Sequence, residues 1–201
     1  MKKQTKDFLA ETISRILGPP VELPVIILIL LYAAGLTIAQ ILKLAPALLF
    51  FCWLLPVLFF VYSLKRGAIS DLDARNRKER IPTYTVTLLG WSIGLVLAKL
   101  WGNAIFLNLF STFYFLIFTL VIVTYFYKIS IHAALNTALF LFVNLYPVGH
   151  SSYGVFWNFQ FWWLFPMVPA AIWARWYKKN HDLKQLVLGV FAGTVVMLLS
   201  F

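Results

Sequence analysis

Three basic clusters interrupt an otherwise apolar chain: Arg77-Lys78-Glu79-Arg80, then Lys128-Ile129-Ser130-Ile131-His132, then Arg175 with His181 six residues on. Guanidinium, ammonium and imidazole groups that converge suit a phosphate. Arg grips phosphoryl oxygens through its planar fork and Lys as a point charge, so Arg77, Lys78, Arg80, Lys128 and Arg175 are the candidate ligands. An imidazole near its neutral pKa can attack phosphorus if another group holds its tautomer. His181 is the candidate for that role, and Gln185, one helical turn on, could accept the Nδ1 hydrogen through its amide oxygen. Asp182 is adjacent in sequence but is expected to point elsewhere.

His132 falls just inside an apolar segment, where an ionisable side chain is a functional candidate by default. Ser130 and the backbone N–H groups at that helix start, Ile131 included, add donors and a favourable dipole for an anion. Asn136 lies one turn on from His132 and shares its face. Each cluster also has a plainer interpretation. The loop at 65–82 would serve as a solvated connector, His132 as a packing histidine, and the stretch from Arg175 to His181 as an interfacial loop anchored by Trp173, Trp176 and Tyr177.

The groups must be positioned by a membrane protein. Apolar residues make up 62% of the 201 and charged residues 12%, against about 45–50% apolar in soluble domains. The first twenty residues lack a small-residue cleavage site after an apolar core, so no cleaved signal peptide is expected. Cys52 is the single cysteine and can form no internal disulfide.

About 20 apolar residues are needed to cross the hydrocarbon core. Segments near that length predict spans at 24–42, 45–64, 83–101, 104–127, 131–148, 154–175 and 183–201. Polar interruptions leave the count at six or seven. Runs such as LPVIILILLYAAGL have no period-two alternation, which excludes a barrel and predicts an all-α polytopic transmembrane helical bundle. Residues 3–17 carry an apolar stripe of Phe8, Leu9, Thr12, Ile13, Ile16 and Leu17, with Lys6, Asp7, Glu11 and Arg15 largely off it. An N-terminal interfacial amphipathic helix over 1–20, ended by Gly18-Pro19-Pro20, is therefore expected ahead of one membrane-embedded domain at 21–201.

With alternating spans, only Lys43 and Lys99 fall on the side opposite the other Lys and Arg residues. The positive-inside bias makes the crowded side cytoplasmic. The net charge of +10 hugs span ends instead of forming a soluble basic surface. Anionic headgroups of the bilayer, and no nucleic acid, are the expected counter-charge. No signal for oligomeric state is present.

Taken as a set, the clusters resemble the type 2 phosphatidic acid phosphatase superfamily. Its members carry a Lys/Arg-rich first motif ending in Arg-Pro, a Ser-Gly-His second, and a third of Arg, five residues, His, three residues, Asp. Ser130-Ile131-His132 matches the second with Ile at the glycine position. Arg175 and His181 match the third, with Gln185 in the Asp position, and Arg80-Ile81-Pro82 is a broken first motif. The resemblance covers residues 65–193 and is closest to a short, divergent bacterial branch. It implies a bacterial inner-membrane phosphatase of a lipid phosphate or diphosphate, of phosphatidate or prenyl diphosphate type; the cytoplasmic placing of its basic face comes from the positive-inside count. In it, His181 would form a phosphohistidine, His132 would protonate the leaving oxygen and Gln185 would orient His181. Arg77, Lys78, Arg80, Lys128, Ser130, Ile131 and Arg175 would hold the phosphoryl group, with no metal or other cofactor. Two apparent spans separate Arg80 from Ser130, which returns the chain to the same side.

Two other classes fit parts of the pattern. SDLDARNRKERIP faintly echoes the aspartate-rich loop of UbiA-type intramembrane prenyltransferases, where Asp71 and Asp73 would hold a magnesium diphosphate. That class needs a second aspartate-rich loop, which this sequence lacks. A catalytically degenerate phosphatase fold that binds or transports anionic lipid is the third. His150, in YPVGHSSYG, is expected on the opposite face and uninvolved.

Overall fold

The structure, a computed structural model, describes residues 3–146 and 159–200. His150 and the rest of YPVGHSSYG beyond Tyr146 lie outside the described residues. Among the described residues helix accounts for 83% and there is no strand, in line with the all-α expectation. The order is α1 (Lys3–Ile16), α2 (Pro19–Ala33), α3 (Ile38–Leu49), a π-helical segment (Phe50–Leu54), α4 (Leu55–Lys65), α5 (Arg77–Trp101), α6 (Ala104–Phe126), α7 (Ile131–Leu145), a 3₁₀ segment (Phe159–Leu164), α8 (Met167–Tyr177) and α9 (Leu183–Leu199).

Among the described residues, four helical runs are long and apolar enough to cross a membrane: Lys3–Ala33, Ile38–Lys65, Arg77–Trp101 and Ala104–Phe126. The helices Ile131–Leu145 and Leu183–Leu199 are apolar but shorter. The span expected at 24–42 stops instead at Ala33. Gly35 takes a left-handed φ of 60°, and Thr37 and Gln40 form a reciprocal capping box that starts α3. At the other end of the polar loop, Asn76 caps Lys78 N–H and starts α5 six residues before the expected span.

The chain divides into two compact units. One holds the described residues through Glu22 together with those from Ile129 onward; the other is Leu23–Lys128.

In the second unit α5 packs on α6 and on the run from α3 to α4. The π segment has a local cause. Pro56 has no N–H to give the Cys52 carbonyl four residues back, and the buried Trp91 indole N–H donates to that carbonyl instead, at 3.2 Å. Gly90 permits the close approach, because a Cβ there would lie 2.0 Å from the Phe51 carbonyl oxygen.

In the first unit α7 and α9 form the most extensive helix pair. Gly189 and Gly193, one turn apart, bring the two backbones together. A Cβ at Gly189 would meet Ser130 O at 2.5 Å, and one at Gly193 would meet Ala134 O at 2.5 Å. Small residues at this spacing are the usual means of close helix packing in a bilayer, where burial from water supplies no drive between helices. α1 packs on α8 through its small and polar side: Ala10 and Ser14 are buried, Glu11 pairs with Lys178, and the Tyr177 hydroxyl donates to Asp7 at 2.8 Å. That carboxylate holds the Tyr177 phenol above its ordinary pKa, chiefly through the hydrogen bond. Phe8 and Ile16, on the apolar stripe, remain exposed.

Candidate functional site

The Arg175–His181 spacing is built by a helix ending. Lys179 adopts φ 55°, the left-handed conformation that closes a helix. Asn180 N–H then donates to Arg175 O at 3.1 Å and Lys179 N–H to Trp176 O at 2.9 Å, the paired bonds of a Schellman turn. Arg175 sits in the last turn of α8, and the turn delivers Asn180 and His181 to the start of α9. All three are buried; Arg175 is 3% and His181 4% exposed.

Asp182 caps α9, its Oδ1 accepting from Gln185 N–H at 2.8 Å. The side chain of Gln185 is therefore fixed one turn above His181, and its Oε1 lies 2.9 Å from His181 Nδ1. Its Nε2 donates to Asp182 Oδ2 at 3.1 Å.

α7 begins at Ile131, directly after Ser130. Ser130 caps it, accepting from Ala133 N–H at 3.4 Å, and Ser130 N–H donates to Gln185 O at 3.2 Å. This bond and the Gly189 contact bind the α7 N-terminus to the first turns of α9. Ser130 and Ile131 are buried, and the N–H groups of a helix's first turn point out of its N-terminus.

His132 and Arg175 meet a residue that sequence reasoning missed. His132 Nε2 lies 3.2 Å from Ser14 O, and Arg175 Nη1 donates to Ser14 Oγ at 2.9 Å. Ser14 O is available because the chain breaks between α1 and α2. It lies in the last turn of α1, where carbonyls have no helical donor, and Gly18 places no Cβ in the way; one there would lie 3.0 Å from His132 Nε2. Asn136 shares the arrangement, its amide donating to His132 O at 2.8 Å and to Leu17 O at 3.3 Å. A carbonyl only accepts, so His132 Nε2 carries a proton. The signal for Ser14 was its place one turn from Ala10, two small residues on a helix otherwise flanked by charge. Glu22, buried beside Asn136, also escaped notice.

The first-motif residues belong to the second unit. Arg77 donates to Thr124 O at 3.2 Å and to Tyr125 O, carbonyls of the last turn of α6. Arg80, 4% exposed, donates through Nε to Ala74 O at 2.5 Å and through Nη2 to Asp73 O at 3.4 Å. Lys78 is exposed and Lys128 half-buried. Glu79 accepts from Ser70 N–H and Oγ–H at 2.8 and 2.9 Å. Asp71 Oδ1 accepts from Asp73 N–H at 2.8 Å, an Asx turn.

No protein-family model, no characterised protein and no solved structure matches this chain. The functional reading therefore rests on the residues themselves.

Proposed function

We propose that this chain is a membrane phosphatase of a lipid phosphate or diphosphate, related to the type 2 phosphatidic acid phosphatases and working through a phosphohistidine on His181. The observation that carries it is the pairing of His181 Nδ1 with Gln185 Oε1 at 2.9 Å in a unit that also buries Arg175 and caps α7 with Ser130. A hydrogen-bonded Nδ1 leaves the ring's lone pair on Nε2, where a nucleophile needs it.

In this reading Nε2 of His181 bonds to phosphorus as the bond from phosphorus to the lipid oxygen breaks, and protonated His132 gives its Nε2 proton to that oxygen. Water then attacks the phosphohistidine, passing a proton to His132. The phosphorus–nitrogen bond breaks, releasing inorganic phosphate and the original imidazole. Arg175, the Ser130 hydroxyl and the N–H groups at the start of α7 stabilise the phosphoryl oxygens. A phosphoryl oxygen displaces the Ser14 hydroxyl from Arg175. The exposed Lys78 and the half-buried Lys128 add positive charge that attracts anionic headgroups to the protein.

We further propose six or seven spans, α7, α9 and, for the count of seven, α8 joining the four long helices, in a bacterial inner membrane with the basic face cytoplasmic. At 15 residues, α7 extends about 22 Å and crosses the roughly 30 Å hydrocarbon core only where the bilayer thins or flanking residues snorkel.

Purified protein is expected to release inorganic phosphate from phosphatidate or a prenyl diphosphate in the presence of EDTA, and vanadate is expected to inhibit it. Activity abolished by EDTA and restored by magnesium would support the Asp71 and Asp73 prenyltransferase reading. Vanadate binding without hydrolysis of any lipid phosphate would support a binding protein.

A further inference from the structure

We infer that Asp182 is a positioning residue that fixes the tautomer of His181 through the side-chain amide of Gln185; its catalytic consequence rests on the role proposed for His181. A side-chain amide can present either end to a neighbour, so Gln185 alone does not decide which nitrogen of His181 carries hydrogen. Its second partner decides. An ionised carboxylate is acceptor-only, and Asp182 Oδ2 stands 3.1 Å from Gln185 Nε2. The NH2 group must therefore face Asp182, which turns Oε1 to His181 Nδ1 at 2.9 Å. A carbonyl oxygen only accepts, so Nδ1 carries the hydrogen and the lone pair is left on Nε2.

Capping needs only one of the two Asp182 oxygens, the one that accepts Gln185 N–H at 2.8 Å. The bond from the other to Gln185 Nε2 adds nothing to the cap. It does polarise the amide, since hydrogen bonds in series strengthen one another, and makes Oε1 a better acceptor for an imidazole gaining positive charge. A carboxylate two bonds away thus supplies part of what one in contact with Nδ1 would supply. The sequence places the relay in five residues, from His181 just before the cap to Gln185 in its first turn.

Asp182→Asn separates the two roles. Asn caps helices about as well as Asp, so Gln185 N–H keeps its acceptor, but the second oxygen becomes an NH2 that cannot accept from Gln185 Nε2. That NH2 prefers the Gln185 oxygen, which turns the amide nitrogen onto His181 and makes Nδ1 the acceptor. Asp182→Ser, a cap with one oxygen, removes the second acceptor by a different route. The experiment is 15N NMR of full-length, 15N-histidine-labelled protein in detergent micelles. With three histidines, His132→Gln and His181→Gln suffice for assignment.

In the wild type, above the imidazole titration, His181 is expected to show a protonated Nδ1 and an unprotonated Nε2. Both variants are expected to shift that pattern toward the opposite tautomer. In parallel, kcat on phosphatidate is expected to fall in Asp182→Asn with little change in KM, and Gln185→Asp in the same background to recover it by placing a carboxylate on Nδ1. An unchanged tautomer in both folded variants would overturn the inference whatever the activity. A tautomer that follows Asp182 in a protein without phosphatase activity would support the relay and overturn the proposed reaction.

Discussion

Arginines in the two units differ in what they hold. Arg175 donates to a side-chain hydroxyl, Ser14 Oγ, in a unit that also buries His181 and Ser130. Arg80 and Arg77 donate to main-chain carbonyls of a loop and a helix end. A hydroxyl on a side chain can be exchanged for a ligand oxygen without unmaking the fold. A carbonyl in the α6 terminus or at Ala74, whose φ is 42°, has lost its helical or sheet partners, and the guanidinium is what satisfies it. Equal charge therefore does not imply equal function: a bond to a side-chain hydroxyl can be exchanged, whereas one to a main-chain carbonyl is part of the fold.

Substitutions test this difference between the arginines. Arg175→Ala removes a donor from the developing phosphoryl charge, where one such donor is worth about 100 to 1,000-fold. A loss of that size in kcat, with vanadate binding weakened, is expected. Arg80→Ala is expected to act through stability, because a buried hydrogen bond to a charged group contributes about 1.5–3 kcal/mol. Its thermal transition should fall by several degrees while the folded fraction retains turnover; a loss equal to that of Arg175→Ala at matched stability would erase the distinction. Gly189→Val puts a Cβ 2.5 Å from Ser130 O, and overpacking of this kind costs about 1–3 kcal/mol. It should lower the transition and depress turnover together, since Gly189 abuts Ser130, whose N–H bonds to Gln185 O. Lys78→Ala, at an exposed side chain, is the smallest: kcat unchanged and a raised KM that salt also raises in the wild type.

Much of the first unit's site was legible in the sequence, because its geometry is local. Ser130 as a helix start, Gln185 one turn from His181 and Asn136 on the face of His132 all follow from 3.6-residue periodicity and capping. What was not legible depends on long-range packing. Nothing in the spacing of Arg77 or Arg80 distinguishes a phosphate ligand from a carbonyl clamp, since both require the same planar donors. Ser14 was obscured because α1 reads as amphipathic, and its polar side proved to be the packed one. Asp182 was set aside as an adjacent residue, yet an N-cap side chain folds back over the first turn and reaches the residue three positions on. The span expected at 83–101 left out the first helical turns, whereas the Asn76 cap starts α5 at Arg77 and the helix runs through Pro82 with the loss of one bond to the carbonyl four residues back.

The central claim is that His181 becomes phosphorylated. The direct measurement is rapid quench of the purified protein with a phosphatidate labelled in its phosphoryl group, followed by mapping of the acid-labile, base-stable phosphoprotein. The account predicts label on His181 in the wild type and none in His181→Ala, which also loses turnover. It further predicts label that persists in His132→Ala when the substrate has a good leaving group, because general acid help matters least there. Full phosphatase activity in His181→Ala, or label mapped to another residue, would contradict it.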